Sequence, residues 1–153
     1  MTFHVSTASQ QDFVMIQITD THLLESPDLE FVGMHPEQSF HAVIDLMRHQ
    51  HPEIDLIVHT GDLAQTPTPE TYQRYLQYME KLGVPFFQVP GNHDDVANFP
   101  FHESDPTEPT IVELGQWCII LLNSAQPNRI DGKIAEIQLQ RLTHLLSQLA
   151  DRH

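Results

Sequence analysis

The sequence predicts an α/β fold, a β-sheet flanked by helices, and two observations carry that expectation. Three short apolar segments alternate with two segments whose apolar residues recur at a helical period. Each apolar segment then runs at once into a cluster of Asp, Asn or His, as expected where parallel strands end at a ligand-binding edge.

Residues 13–19 read as a strand buried on both faces, ending in Asp20-Thr21-His22. After a loop through Pro27 and Gly33, Pro36 opens a helix that places Phe40, Val43, Ile44 and Met47 on one stripe. Residues 54–59 form the second strand, which leads into Thr60-Gly61-Asp62. Thr68 and Pro69 read as N-cap and first residue of the next helix, with Tyr72, Tyr75, Leu76, Met79 and Leu82 on one face and Gly83 as its stop. Residues 84–89, broken near their start by Pro85, make the third strand and give way to Pro90-Gly91-Asn92-His93-Asp94.

Residues 95–109, rich in Pro, acids and Phe, show no steady period and read as a long excursion of the kind that forms lids or binding loops. A hairpin over 110–114 and 116–123, turning at Gly115, follows. Leu139, Leu142, Leu146 and Leu149 then put an apolar stripe on a helix expected to reach almost to His153. Residues 1–153 are expected to form one domain, without internal repeats or heptads.

Twenty-one acids against seven lysines and arginines give a formal charge of −14, which argues against a broad nucleic-acid backbone interface. An anionic substrate therefore needs a local source of positive charge, and divalent cations are the obvious one. Eleven histidines agree with that but do not prove it. Cys118 is the sole cysteine, expected to be a buried packing residue in a reducing, cytoplasmic setting. Residues 13–18 are too short and lack a basic leader to read as a secretory signal, and no apolar run approaches the ~20 residues of a membrane span.

Asp20 and His22 aim the same way if the chain stays extended, because alternate residues of a strand share a side. Gly61 and Gly91 each let the backbone turn sharply, leaving Asp62 at one strand tip and Asn92 and His93 at the next. A Gly-Asp pair alone is usually a turn; three such clusters at three successive strand ends are hard to explain as separate turns.

These blocks, D-x-H at 20–22, G-D at 61–62 and G-N-H-D at 91–94, resemble those of the calcineurin-like metallophosphoesterase family. The flanking text at 18–23, 56–64 and 89–94 is similar to that of the bacterial class III cyclic AMP phosphodiesterases, and a weaker match continues through 115–117 and the Leu-rich last helix. The resemblance implies that Asp20 and His22 hold a first metal, Asp62 bridges two, Asn92 binds the second, and Asn92 and His93 meet the substrate phosphate. It implies iron or manganese, sometimes zinc, and hydrolysis of phosphodiesters, 3′,5′-cyclic AMP above all, by hydroxide activated between two metal ions. Asp94 either orients His93 or serves the turn.

The family's later H-H-x-P and G-H-x-H blocks are absent, so the resemblance implies the N-terminal part of the fold, with three protein ligands for the first metal and two for the second. That sets a catalytically incompetent remnant, retaining at most one weak metal site, against the enzyme. A His-rich metal store leaves the strand-end placement unexplained. The remaining family strands would cover the sheet, so an exposed sheet edge or face and self-association are expected. Among other histidines, His49 and His51 read as solvated, His59 as a hydrogen-bonded core residue, and His4, His35, His41, His102 and His144 as having no ligand role.

Overall fold

The computed structural model describes residues 1–6, 12–101 and 105–149. The elements are β1 (Thr2–Val5), β2 (Met15–Ile18), α1 (Pro36–Gln50), β3 (Leu56–Thr60), α2 (Pro69–Glu80), β4 (Phe86–Val89), β5 (Thr110–Leu114), β6 (Trp117–Leu121) and α3 (Glu136–Gln148). The expected β-α-β-α-β unit is present as a parallel sheet in the order β2-β3-β4. Only the central strand is buried along its length. On edge strand β2, Met15 is exposed, which corrects the expectation of a strand buried on both faces.

One face of β3 packs on the helices through Ile57, with Phe40, Ile44 and Met47 of α1 and Tyr72, Tyr75 and Met79 of α2. Val43, placed on the same stripe from its spacing, is exposed. Thr68 caps α2 as expected, its hydroxyl accepting from the Thr71 N–H at 3.2 Å, and Gly83 ends the helix region at φ 67°.

The other face of β3 carries Leu56 and Val58, which meet Val112 and Leu114 of β5 and Leu121 of β6. A second sheet, β1-β5-β6, covers this face, so the chain supplies for itself a layer expected to be missing. Its β1 is parallel to β5 and more than a hundred residues away from it. Nothing in four residues marked β1 as a strand, and His4, read as terminal, lies within it, 2.9 Å from Glu113. The hairpin turns on Gly115 at φ 59° with Leu114 opposite Trp117, and Cys118 in β6 is half-buried rather than fully so.

Helix α3 forms where expected over the described residues, but its leucines do not make a buried seam: Leu139 and Leu146 are exposed. Polar groups attach it instead. Buried Gln138 exchanges hydrogen bonds with the Asn123 backbone at 3.1 and 2.8 Å, and Arg141 reaches Asp105 at 2.9 Å and Thr107 at 2.8 Å. Hydrogen bonds from Thr107 and Arg141 hold the Asp105 carboxyl down at about 2. No helix among the described residues is long and apolar enough to cross a membrane.

His59 is buried in β3, with Nδ1 3.0 Å from the Tyr75 hydroxyl. Burial pushes its pKa from 6.5 down to about 3, partly opposed by the Asp20 charge, so the native state holds it neutral. The unfolded chain takes up this proton near pH 6.5 and the folded chain does not. The stability His59 contributes is thus complete above that pH and lost as pH falls from 6.5 toward 3. Urea unfolding should show His59→Leu losing about 2 kcal/mol less than the wild type between about pH 7 and pH 5. Equal losses in the two proteins would show that His59 does not carry this dependence.

Candidate metal centre

The three polar clusters lie beyond the carboxyl ends of β2, β3 and β4. Backbone pairing continues past the strands: Asp20 N–H donates to Gly61 O at 3.1 Å, His22 to Asp62 O at 3.0 Å, Leu23 to Leu63 O at 3.0 Å, and Gln65 back to Leu23 O at 2.8 Å. The loops after β2 and β3 are therefore held side by side. Within them Asp20, His22 and Asp62 adopt left-handed φ values of 56°, 46° and 54°. This overturns the expectation of an extended Asp20-x-His22; the two side chains converge because both residues twist. Such conformations cost about 1–3 kcal/mol each and persist only where the surroundings over-determine them, commonly at functional sites.

Gly61 turns sharply, at φ 103°. Gly91 serves a different purpose from the turn expected of it: its φ is not left-handed, but a β-carbon there would lie 2.6 Å from Asp62 Cγ and closer still to Oδ1 and the backbone nitrogen. The two glycines also pack on each other, a β-carbon at Gly61 falling 3.1 Å from Gly91 Cα. Absence of side chains at both positions brings the second and third clusters together.

Each converging side chain has one atom anchored and another left to point inward. Asp20 Oδ2 accepts from the Thr19 hydroxyl at 2.6 Å, while Oδ1 lies 3.7 Å from His22 Nε2. Asp62 Oδ1 accepts from His93 N–H at 3.0 Å, while Oδ2 lies 3.9 Å from the same nitrogen. His22 turns Nδ1 to Gln65 Oε1 at 3.1 Å. Ligand atoms of His22, Asp62 and His93 all lie within 4.8 Å of one another, and the His93 ring meets His22 edge-on at 4.9 Å.

This donor set suits a cation. Donors each about 2.0–2.2 Å from one ion stand roughly 3.0–3.5 Å apart, so the Asp20 and Asp62 oxygens, 3.7 and 3.9 Å from His22 Nε2, would close by less than about 1 Å onto one ion. Two carboxylates facing one imidazole in a chain of charge −14 also repel each other unless a cation joins them. Asn92 lines one cleft of about 420 Å³ together with Asp20, Asp62, Ser124 and Asp131.

Asp94 bonds elsewhere. Its buried carboxylate accepts from Gly91 N–H at 2.9 Å and from Leu63 N–H, Ala64 N–H and the Tyr72 hydroxyl at 3.1 Å each. Burial raises its pKa, and those same four bonds oppose the rise. His93 is not among these partners, so the structural alternative for Asp94 accounts for them. Gln65 had no signal at the level of sequence, because its partner His22 is brought to it by pairing between loops some forty residues apart. Of the other histidines, His49 and His51 are exposed at the end of α1, His41 packs on Tyr78, and His102 lies outside the described residues.

Residues 13–140 match the sequence model of the calcineurin-like phosphoesterases. The chain is similar to the 3′,5′-cyclic adenosine monophosphate phosphodiesterase CpdA of Vibrio vulnificus (strain CMCP6), with 33% identity over 96% of this chain and 55% of that protein. It is 36% identical to CpdA of Escherichia coli (strain K12), over 91% of this chain and 52% of the relative. A probable glycerophosphodiester phosphodiesterase GpdQ of Arcobacter nitrofigilis is 27% identical over 91% of this chain and 54% of the relative. The chain spans about half the length of the curated relatives it matches.

Proposed function

This chain belongs to the calcineurin-like phosphoesterase family, and on that premise we propose that Asp20, His22, Asp62 and Asn92 hold metal ions at which phosphodiesters, 3′,5′-cyclic AMP foremost, are hydrolysed. The observation that carries this reading is the convergence of the unanchored atoms of Asp20 and Asp62 on His22 Nε2 at 3.7 and 3.9 Å. Iron or manganese suits this oxygen and imidazole set, with zinc a third choice. When bound, such ions supply Lewis acidity toward a phosphoryl oxygen and activation of water.

The protein's own groups do the rest. Asp20 and Asp62, each held at one oxygen, keep the other turned toward His22. Asn92 offers a neutral amide to the cleft. His93, whose backbone is tied to Asp62 and whose ring abuts His22, is the group that would meet the phosphate and pass a proton to the leaving oxygen. A small anionic ester fits a chain of charge −14 only where cations offset its field, which also disfavours nucleic-acid backbones as partners. The single cysteine suits the cytoplasm, and the strands that end each sheet among the described residues, β1 and β6 in one and β2 and β4 in the other, offer a route to self-association.

A second reading, a protein that retains a cation without turnover, is favoured by one observation: only one group of three His, Asp or Glu ligands gathers among the described residues. Manganese titration together with hydrolysis of bis(p-nitrophenyl) phosphate, in wild type and Asp62→Ala, separates the two. The enzyme reading expects manganese binding and turnover, both falling at least about a hundredfold in the variant. Metal binding without turnover supports the second reading, and wild type that binds no manganese overturns both.

A further inference from the structure

We propose that Gln65 is a positioning residue of this centre: its amide oxygen fixes His22 in the tautomer that leaves Nε2 free to receive a cation. The inference rests on the reading of Asp20, His22 and Asp62 as ligands and adds a residue that the ligand motifs do not contain.

Backbone pairing sets the two residues side by side. His22 N–H is bound to Asp62 O at 3.0 Å and Gln65 N–H to Leu23 O at 2.8 Å, so position 65 is always delivered beside the His22 ring. From there Gln65 Oε1 lies 3.1 Å from Nδ1, on the side of the ring away from Asp20 and Asp62. Phe31 lies 6.2 Å from the imidazole with its plane tilted by 27°, and His93 stands edge-on to it at 4.9 Å.

An amide oxygen only accepts, so the nitrogen facing it must carry the hydrogen and Nε2 keeps its lone pair. Were the amide turned about, its NH₂ would donate to Nδ1 and the hydrogen would sit on Nε2, between two carboxylates and blocking the metal position. Glutamate has no second orientation and enforces the first state. Leucine enforces neither. An outer partner of this kind typically changes metal affinity about 10–100-fold, because it sets the orientation and basicity of the ligand it touches.

Two measurements test this on wild type, Gln65→Leu and Gln65→Glu, with urea unfolding to verify that each variant is folded. Long-range ¹H–¹⁵N correlation of His22 in metal-free protein should show hydrogen on Nδ1 and a bare Nε2 in the wild type and the Glu variant, and a mixture of the two tautomers in the Leu variant. Titration with manganese alone should show affinity about 10–100-fold weaker for Gln65→Leu and at least wild-type for Gln65→Glu. Hydrogen on Nε2 in the wild type overturns the proposal. So does a Leu variant that binds manganese as the wild type does, or equal weakening in both variants. Failure of the underlying metal reading shows separately, as a wild type that binds no manganese at all, and takes this role with it.

Discussion

Gly91→Ala is expected to weaken metal binding at least about a hundredfold and to destabilise the protein by about 2–3 kcal/mol. The added methyl overlaps the Asp62 carboxylate and the Asp62 backbone nitrogen. Neither neighbour yields easily. Asp62 O accepts from the His22 N–H and its Oδ1 from His93, so retreat of Asp62 disturbs the other two clusters as well. The alternative is separation of the β4 loop from the β3 loop, which breaks contact between Gly91 and Gly61. Either way Asp62 Oδ2 leaves His22. Gly33→Ala is the control: Gly33, unlike Gly91, sits at left-handed φ, 77°, and its added methyl meets nothing within 4 Å. It should lose about 1 kcal/mol from backbone strain and leave manganese affinity unchanged. Titration and urea unfolding of the two variants check both halves of the expectation, and normal manganese affinity in Gly91→Ala would show that the close approach is not needed.

The contrast between those glycines also marks the limit of what was legible in the sequence. Strand-end placement of Asp20, Asp62 and Asn92 was readable, because buried strands such as β3 announce themselves by continuous apolar text and must stop where polar residues begin. The helix start at Thr68-Pro69 was readable for the same kind of reason: a cap and a fixed φ act within four residues. By contrast, the left-handed twist at Asp20 and His22 is imposed by pairing with a loop forty residues on, and period-two alternation carries no trace of it. Gly91 looked like a turn residue because glycine serves turns and close approaches alike, and only the position of Asp62 tells which. Strand β1 carries no such signal, because its partner among the described residues, β5, lies more than a hundred residues away. The leucines of α3 were read as a seam from spacing alone, whereas Gln138 and Arg141 make the attachments.

Asp94→Ala is expected to be the most damaging single change at the site, lowering stability by at least about 4 kcal/mol, or the melting midpoint by roughly 10 °C. Four donors lose their acceptor together: Gly91 N–H, Leu63 N–H, Ala64 N–H and the Tyr72 hydroxyl. A buried donor left without a partner costs about 1–3 kcal/mol, and no side chain at position 94 of the variant can replace the carboxylate. Asp94→Asn keeps one accepting oxygen but turns an NH₂ toward N–H donors, so it should recover only part of the loss. Asp62→Ala gives the opposite signature. Among the described residues its carboxylate takes one backbone bond, from His93, and its removal relieves repulsion with Asp20, so stability should change by less than about 1 kcal/mol while metal binding disappears. Thermal unfolding and manganese titration of the three variants therefore separate the aspartate that builds the cavity from the one that works in it. A stable Asp94→Ala protein, or an Asp62→Ala protein that unfolds, would reverse those assignments.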